Sequence, residues 1–97
     1  MSTIVSRLSA RDHVVVNRRF LLRWDAAYEA FVLVHPDATI KLNDSAAEIL
    51  QRCDGSRCVA EIIVELQDLY ADAGGRIETG VYCFLELAYA KGWIETG

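Results

Sequence analysis

The 97-residue chain has one proline, six glycines and three cysteines, and its longest uninterrupted apolar run is five residues. Each scarcity excludes something. Runs of five fall far short of the roughly 18 apolar residues that span a bilayer, and Met1 to Arg7 lacks the apolar stretch of a secretory signal. The expectation is a cytoplasmic protein with no membrane association. Three cysteines without close pairing argue against a disulfide framework and for reduced thiols. With so little proline and glycine, and 53% hydrophobic against 25% charged residues, the chain is neither disordered nor repetitive. It is long enough for one core and too short for two, since cores below roughly 60 residues become marginal.

The usual signatures of chemistry are also missing. There is no Gly-rich phosphate loop, G-x-S-x-G elbow or H-E-x-x-H helix. Four residues separate Cys53 from Cys58, Cys83 lies far downstream, and His13 and His35 fall outside any zinc-ligand spacing. A cysteine nucleophile needs a basic partner to lower its pKa, and no Cys/His signature supplies one. Cys53 reads as core, Asp54 as a turn residue bonding local N–H groups. The expectation is a protein that is not an enzyme, with no catalytic residue, metal site or cofactor.

Two kinds of pattern are present. Between Arg18 and Leu42 the residues favour strands: Phe20, Leu22 and Trp24 alternate with Arg19, Leu21 and Arg23, and Asp25-Ala26-Ala27 turns into the β-rich run Tyr28 to Val34. His35-Pro36-Asp37-Ala38 makes a second turn, followed by a short third strand, Thr39-Ile40-Lys41-Leu42. From Asn43 onward the period is helical. Ala46, Ile49, Leu50 and Cys53 line one face of a first helix, capped by Asn43 and ending near Gly55. Val59, Ile62, Ile63, Leu66 and Tyr70 line a second, with Glu61, Glu65, Asp68 and Asp72 outside and Gly74-Gly75 at its end. A third runs from about Ile77 to Lys91 and closes on Gly92, with Val81, Phe84, Leu85 and Ala88 as its stripe. Tyr82, Cys83 and Leu87 widen that arc beyond what one packing side needs, so a second cover is expected. Residues 1–17 show weak periodicity and read as an arm, mobile or swapped onto a neighbouring copy in a homodimer. Residues 18–97 read as an α+β, winged-helix-like domain: a three-stranded antiparallel β-meander followed by three α-helices.

Charge decides between the partners such a domain takes. Residues 1–25 carry five arginines against two aspartates, and the rest carry five basic against twelve acidic groups, which sums to the overall −4. A DNA-binding regulator is the alternative reading, but it needs a basic recognition helix. The third helix balances Glu78 and Glu86 against Arg76 and Lys91, and the second carries four acids and no base. No nucleic acid is therefore expected. Peptide recognition fits better: an extended chain adds as a strand along Thr39, Ile40, Lys41 and Leu42, with side chains entering the groove between this strand and the over-apolar third helix.

The run Leu42-Asn43-x-Ser45-Ala46-Ala47-x-Ile49-Leu50-x-x-Cys53-Asp54-Gly55, followed by Val59-x-Glu61-Ile62 and Gly92-Trp93-Ile94, resembles the PqqD family of pyrroloquinoline quinone (PQQ) biosynthesis. Arg23-Trp24-Asp25 and Val32-Leu33-Val34-x-Pro36 match too, so the resemblance spans about residues 18–94. It implies a non-catalytic winged-helix peptide chaperone, a recognition element for ribosomally made, modified peptides. Such a protein binds the precursor PqqA and presents it to the radical S-adenosylmethionine enzyme PqqE. It also implies that the precursor lies along Thr39 to Leu42 and against Cys83, Phe84 and Leu87. There are three departures from the pattern. Cys58 stands where a threonine would open a capping box with Glu61, Pro36-Asp37-Ala38 replaces Pro-Glu-Gly, and Gly80 replaces an aspartate in the first turn of the third helix.

Overall fold

A computed structural model of the chain describes residues 8–71 and 75–97. Asp72 and Gly74, read above as a helix face and its end, lie outside them, as do residues 1–7. The expected meander is present as β2 (Leu21–Asp25), β3 (Ala30–His35) and β4 (Ala38–Lys41), in the order β2-β3-β4 and antiparallel throughout; β1 (His13–Val16) precedes it. Its tight turn is built locally. Asp25 Oδ1 accepts from the N–H groups of Ala27 and Tyr28 at 2.9 and 3.3 Å, and Glu29 takes the left-handed conformation, φ 52°, that reverses the chain. Alternation puts Leu22, Leu33 and Ile40 on one face, where Leu33 is fully buried in the core, and Arg23, Val32 and Lys41 in one row on the opposite face, where Val32 is also fully buried.

The three expected helices follow as α1 (Asp44–Leu50), α2 (Val59–Tyr70) and α3 (Arg76–Ala90). Asn43 caps α1 as expected, its side-chain oxygen accepting from Ala46 N–H at 2.8 Å. Gly92 closes α3 with φ 76°, its N–H donating to the Tyr89 carbonyl and that of Trp93 to the Ala88 carbonyl, the paired bonds that satisfy a helix end. Ile49, Leu50, Ile62, Leu66, Val81 and Leu85 interlock with Leu33 and Leu42 to form the core.

Two readings change. Residues 13–16, assigned above to an arm, are the central strand of a second sheet, β5-β1-β6, with β5 at Asp54–Cys58 and β6 at Ile94–Thr96. Val14 is fully buried there, and Leu8, whose N–H donates to Glu86 of α3 at 3.1 Å, is 3% exposed. The segment is held by the chain's own later strands, which no local periodicity announces because the partners lie some 40 and 80 positions away. Gly55 likewise does not end α1, which stops at Leu50. It sits within β5 at φ 85°, where the β1–β5 register slips and a positive φ requires glycine.

Candidate functional site

Sheet edges and helix faces meet at one place. β4 has β3 on one side and no strand on the other among the described residues. Leu42 N–H donates inward to the Phe31 carbonyl at 3.0 Å, so the alternation of an antiparallel ladder turns the N–H and C=O of Thr39 and Lys41 outward. The chain then passes directly into Asn43, and Asn43 is the first wall of a groove of about 800 Å³.

That groove is built by three helices. Its first side is the opening turn of α1, where Ser45 and Ala46 are small enough to leave space and Glu48 and Ile49 continue the wall. Leu66 and Tyr70 of α2 close one end. Its other side is α3, which contributes Ile77, Gly80, Cys83, Phe84 and Leu87 at helical spacing, with Arg76 at the lip. The over-apolar arc of α3 thus divides: Val81, Leu85 and Ala88 are buried in the core, whereas Cys83 and Leu87 are exposed and Phe84 half-buried along the groove. Where a second cover was expected from sequence, the described residues leave an open cleft.

Of the residues singled out from sequence, Cys83, Phe84 and Leu87 lie together on the groove wall. Thr39 and Lys41 are exposed on the β4 edge, Ile40 is half-buried and Leu42 is core, so none of these four lines the groove, and they connect to it only through the passage of the chain from Leu42 into Asn43. The α1 wall, Tyr70 and Ile77 were missed. Their only sequence signal is the small pair Ser45-Ala46 beside the cap, which reads equally well as helix packing.

Polar groups hold the rim in shape. The Tyr70 hydroxyl donates to Glu48 Oε2 at 2.9 Å, and that bond raises the Tyr70 pKa. Arg52 bonds the Glu48 carbonyl at 2.9 Å and pairs with its carboxylate at 3.7 Å. Arg57 carries the network on, donating to Glu65 at 2.6 Å and to Asp54 at 3.0 Å. Asp54 accepts from both the hydroxyl and the N–H of Ser56, which hold its carboxyl below the usual range. The local N–H bond expected of Asp54 is thus present, although the residue opens β5 and does not sit in a turn. Cys53 is 3% exposed, its thiol donating to the Ile49 carbonyl at 3.3 Å, and burial pushes its pKa up to about 12, so it stays a protonated core side chain. Among the described residues no three of His, Cys, Asp and Glu gather as a metal site, and no helix is long and apolar enough to cross a membrane.

The fold and groove define a small α+β domain with an open strand edge running into an apolar cleft. Residues 30–94 match the family model described as coenzyme PQQ synthesis protein D, and the chain belongs to the PqqD family. It is 38% identical to the "PqqA binding protein" of Azotobacter vinelandii (strain DJ / ATCC BAA-1303) over 91 residues, covering 94% of this chain and 98% of that one. Identity to the protein of the same name from Pseudomonas paraeruginosa (strain DSM 24068 / PA7) is 42% over 89 residues, 91% of this chain and 96% of the relative. Among solved structures, the chain is similar to the solution NMR structure of the PqqD truncation of Methylobacterium extorquens PqqCD. The TM-score is 0.76 at 28% identity, over 93% of this chain and 96% of the other. That structure is described as a functional, stand-alone recognition element for ribosomally synthesized and post-translationally modified peptides.

Proposed function

We propose that this protein is a non-catalytic peptide chaperone of PQQ biosynthesis, which takes PqqA as an added strand on β4 and presents it to the radical S-adenosylmethionine enzyme PqqE. The observation that carries the reading is the continuity of the outward-facing β4 backbone with the apolar groove through Asn43. Main-chain bonds to Thr39 and Lys41 supply affinity independent of side chains, and alternate side chains of the peptide turn toward the wall of Cys83, Phe84 and Leu87. Relatives named for PqqA binding and a neighbour described as a peptide recognition element support the same reading.

Titration of isotopically labelled protein with PqqA, followed through backbone amides, tests it. Shifts are expected at residues 39–42 and 81–88, and shifts confined elsewhere would overturn the groove. Lys41 also separates backbone from side-chain recognition. Lys41→Pro removes an outward N–H and is tolerated on an edge strand, so it weakens binding by about tenfold. Lys41→Ala keeps the donor, and the loss of an exposed charge costs about twofold or less. Equal losses would mean a side-chain contact in place of strand addition.

A further inference from the structure

Gly80 stands at the centre of the groove-facing stripe of α3, between Ile77 one turn earlier and Phe84 one turn later. Glycine inside a helix is unfavourable, by about 1 kcal/mol against alanine, so a reason for it is sought first in the backbone and packing. Neither supplies one. Its φ is not in the positive range that favours glycine, and among the described residues an added Cβ would meet nothing within 4 Å. No described element presses on the α3 backbone there. What the missing side chain does is leave the groove open, since side chains on this stripe project over the turn N-terminal to them and a larger residue at 80 would cover the space beside Ile77.

We infer that Gly80 is a specificity-determining position that leaves a subsite for one bulky apolar side chain of the bound peptide, seated between Ile77 and Phe84. The occupant is apolar because those flanking side chains are, and Ala46 and Ile49 face them across the cleft. It is large because the gap spans a full helical turn of the wall. This inference rests on the groove taking a peptide, and the experiment separates the two.

Binding of PqqA to the wild type, Gly80→Ala and Gly80→Leu is measured by calorimetry, beside the denaturant midpoint of each. Both substitutions raise the midpoint, because helix propensity improves and the added Cβ meets no described atom. Affinity moves the other way, about threefold weaker for Gly80→Ala and tenfold or more for Gly80→Leu. Truncating each large apolar residue of the peptide to alanine in turn then identifies the occupant: one truncated peptide binds Gly80→Leu as well as it binds the wild type. Unchanged affinity with raised stability, or a loss that no truncation relieves, would overturn the subsite while leaving the peptide reading intact. Failure of the wild type to bind PqqA would overturn both.

Discussion

The two sheets of this small domain are built on opposite principles. In β2-β3-β4 each strand pairs with its neighbour in sequence across a turn of a few residues, so register is fixed locally by Asp25 and by the His35-Pro36 turn. In β5-β1-β6 the strands come from the beginning, middle and end of the chain, and β1 pairs with nothing near it. Among the described residues local pairing leaves both outer strands, β2 and β4, with an unpaired edge, and β4 is the one that passes through Asn43 into the groove. The distant pairing does structural work: it ties the first described residues and the last to the middle, with the Gly97 N–H donating to the His13 carbonyl and that of Val16 to the Cys53 carbonyl. One sheet offers an edge; the other closes the chain around the core.

The sharpest way to break this comparison is to charge the centre of the second sheet. Val14→Asp places an unpaired carboxylate at a site with no exposure, which costs about 4 kcal/mol or more. Small domains have only about 5–15 kcal/mol in total, so thermal melts of the variant should show a population unfolded near room temperature. Were residues 8–17 an appendage, the same change would stay within about 0.5 kcal/mol. A melting curve that overlays the wild type would therefore remove β1 from the fold.

What was legible in the sequence follows the same division. The meander was readable because alternation and turn residues are properties of adjacent positions, and α3 because its stripe runs fifteen residues to a glycine. β5 was not, since Asp54-Gly55-Ser56-Arg57-Cys58 has the composition of a turn and is a strand only because β1 lies beside it. β6, three residues long, gives too little pattern to recognise. The groove was half readable. The excess of apolar residues on α3 pointed to Cys83 and Leu87, and Phe84, which its spacing put in the core stripe, was placed on the groove by the family resemblance. The facing wall, however, is a first helical turn of small residues whose role depends on where α3 sits.

The join between the two regions passes through Cys53, whose carbonyl accepts from β1 and whose thiol donates to the last turn of α1. Burial raises its pKa from 9.0 to about 12. The sign follows from proton uptake: above pH 9 the unfolded chain releases this proton while the folded one keeps it, so stability present below pH 9 is lost as pH rises toward 12. By pH 10 the loss is about 1.4 kcal/mol. Urea unfolding of the wild type and Cys53→Ala across pH 7 to 10 isolates it. The wild type, more stable at neutral pH, should converge on the variant as pH rises, and parallel curves would count against a buried thiol at the join.

Cys58 tests the seam on a finer scale, because it ends β5 and caps α2 at once. Its N–H donates to Glu61 Oε1 at 2.9 Å, which lowers the Glu61 pKa and completes one half of a capping box. The other half asks the residue-58 side chain to accept from the N–H of Glu61, and sulfur is a weak acceptor. Threonine supplies an oxygen in that place and suits a strand as well, since its β-branched side chain favours extended backbone. Cys58→Thr should therefore stabilise the protein by about 0.5–1 kcal/mol. The Glu61 half is common to both proteins, and its lowered pKa makes it stability present at neutral pH and lost as pH falls through the carboxylate range. Chemical denaturation at pH 7 and pH 3 should therefore show both proteins weakening together while the gain from threonine is kept. A gain that vanishes at pH 3 would tie the threonine hydroxyl to the Glu61 carboxylate in place of its N–H, and no gain at all would show that the Glu61 half of the box alone suffices to start α2.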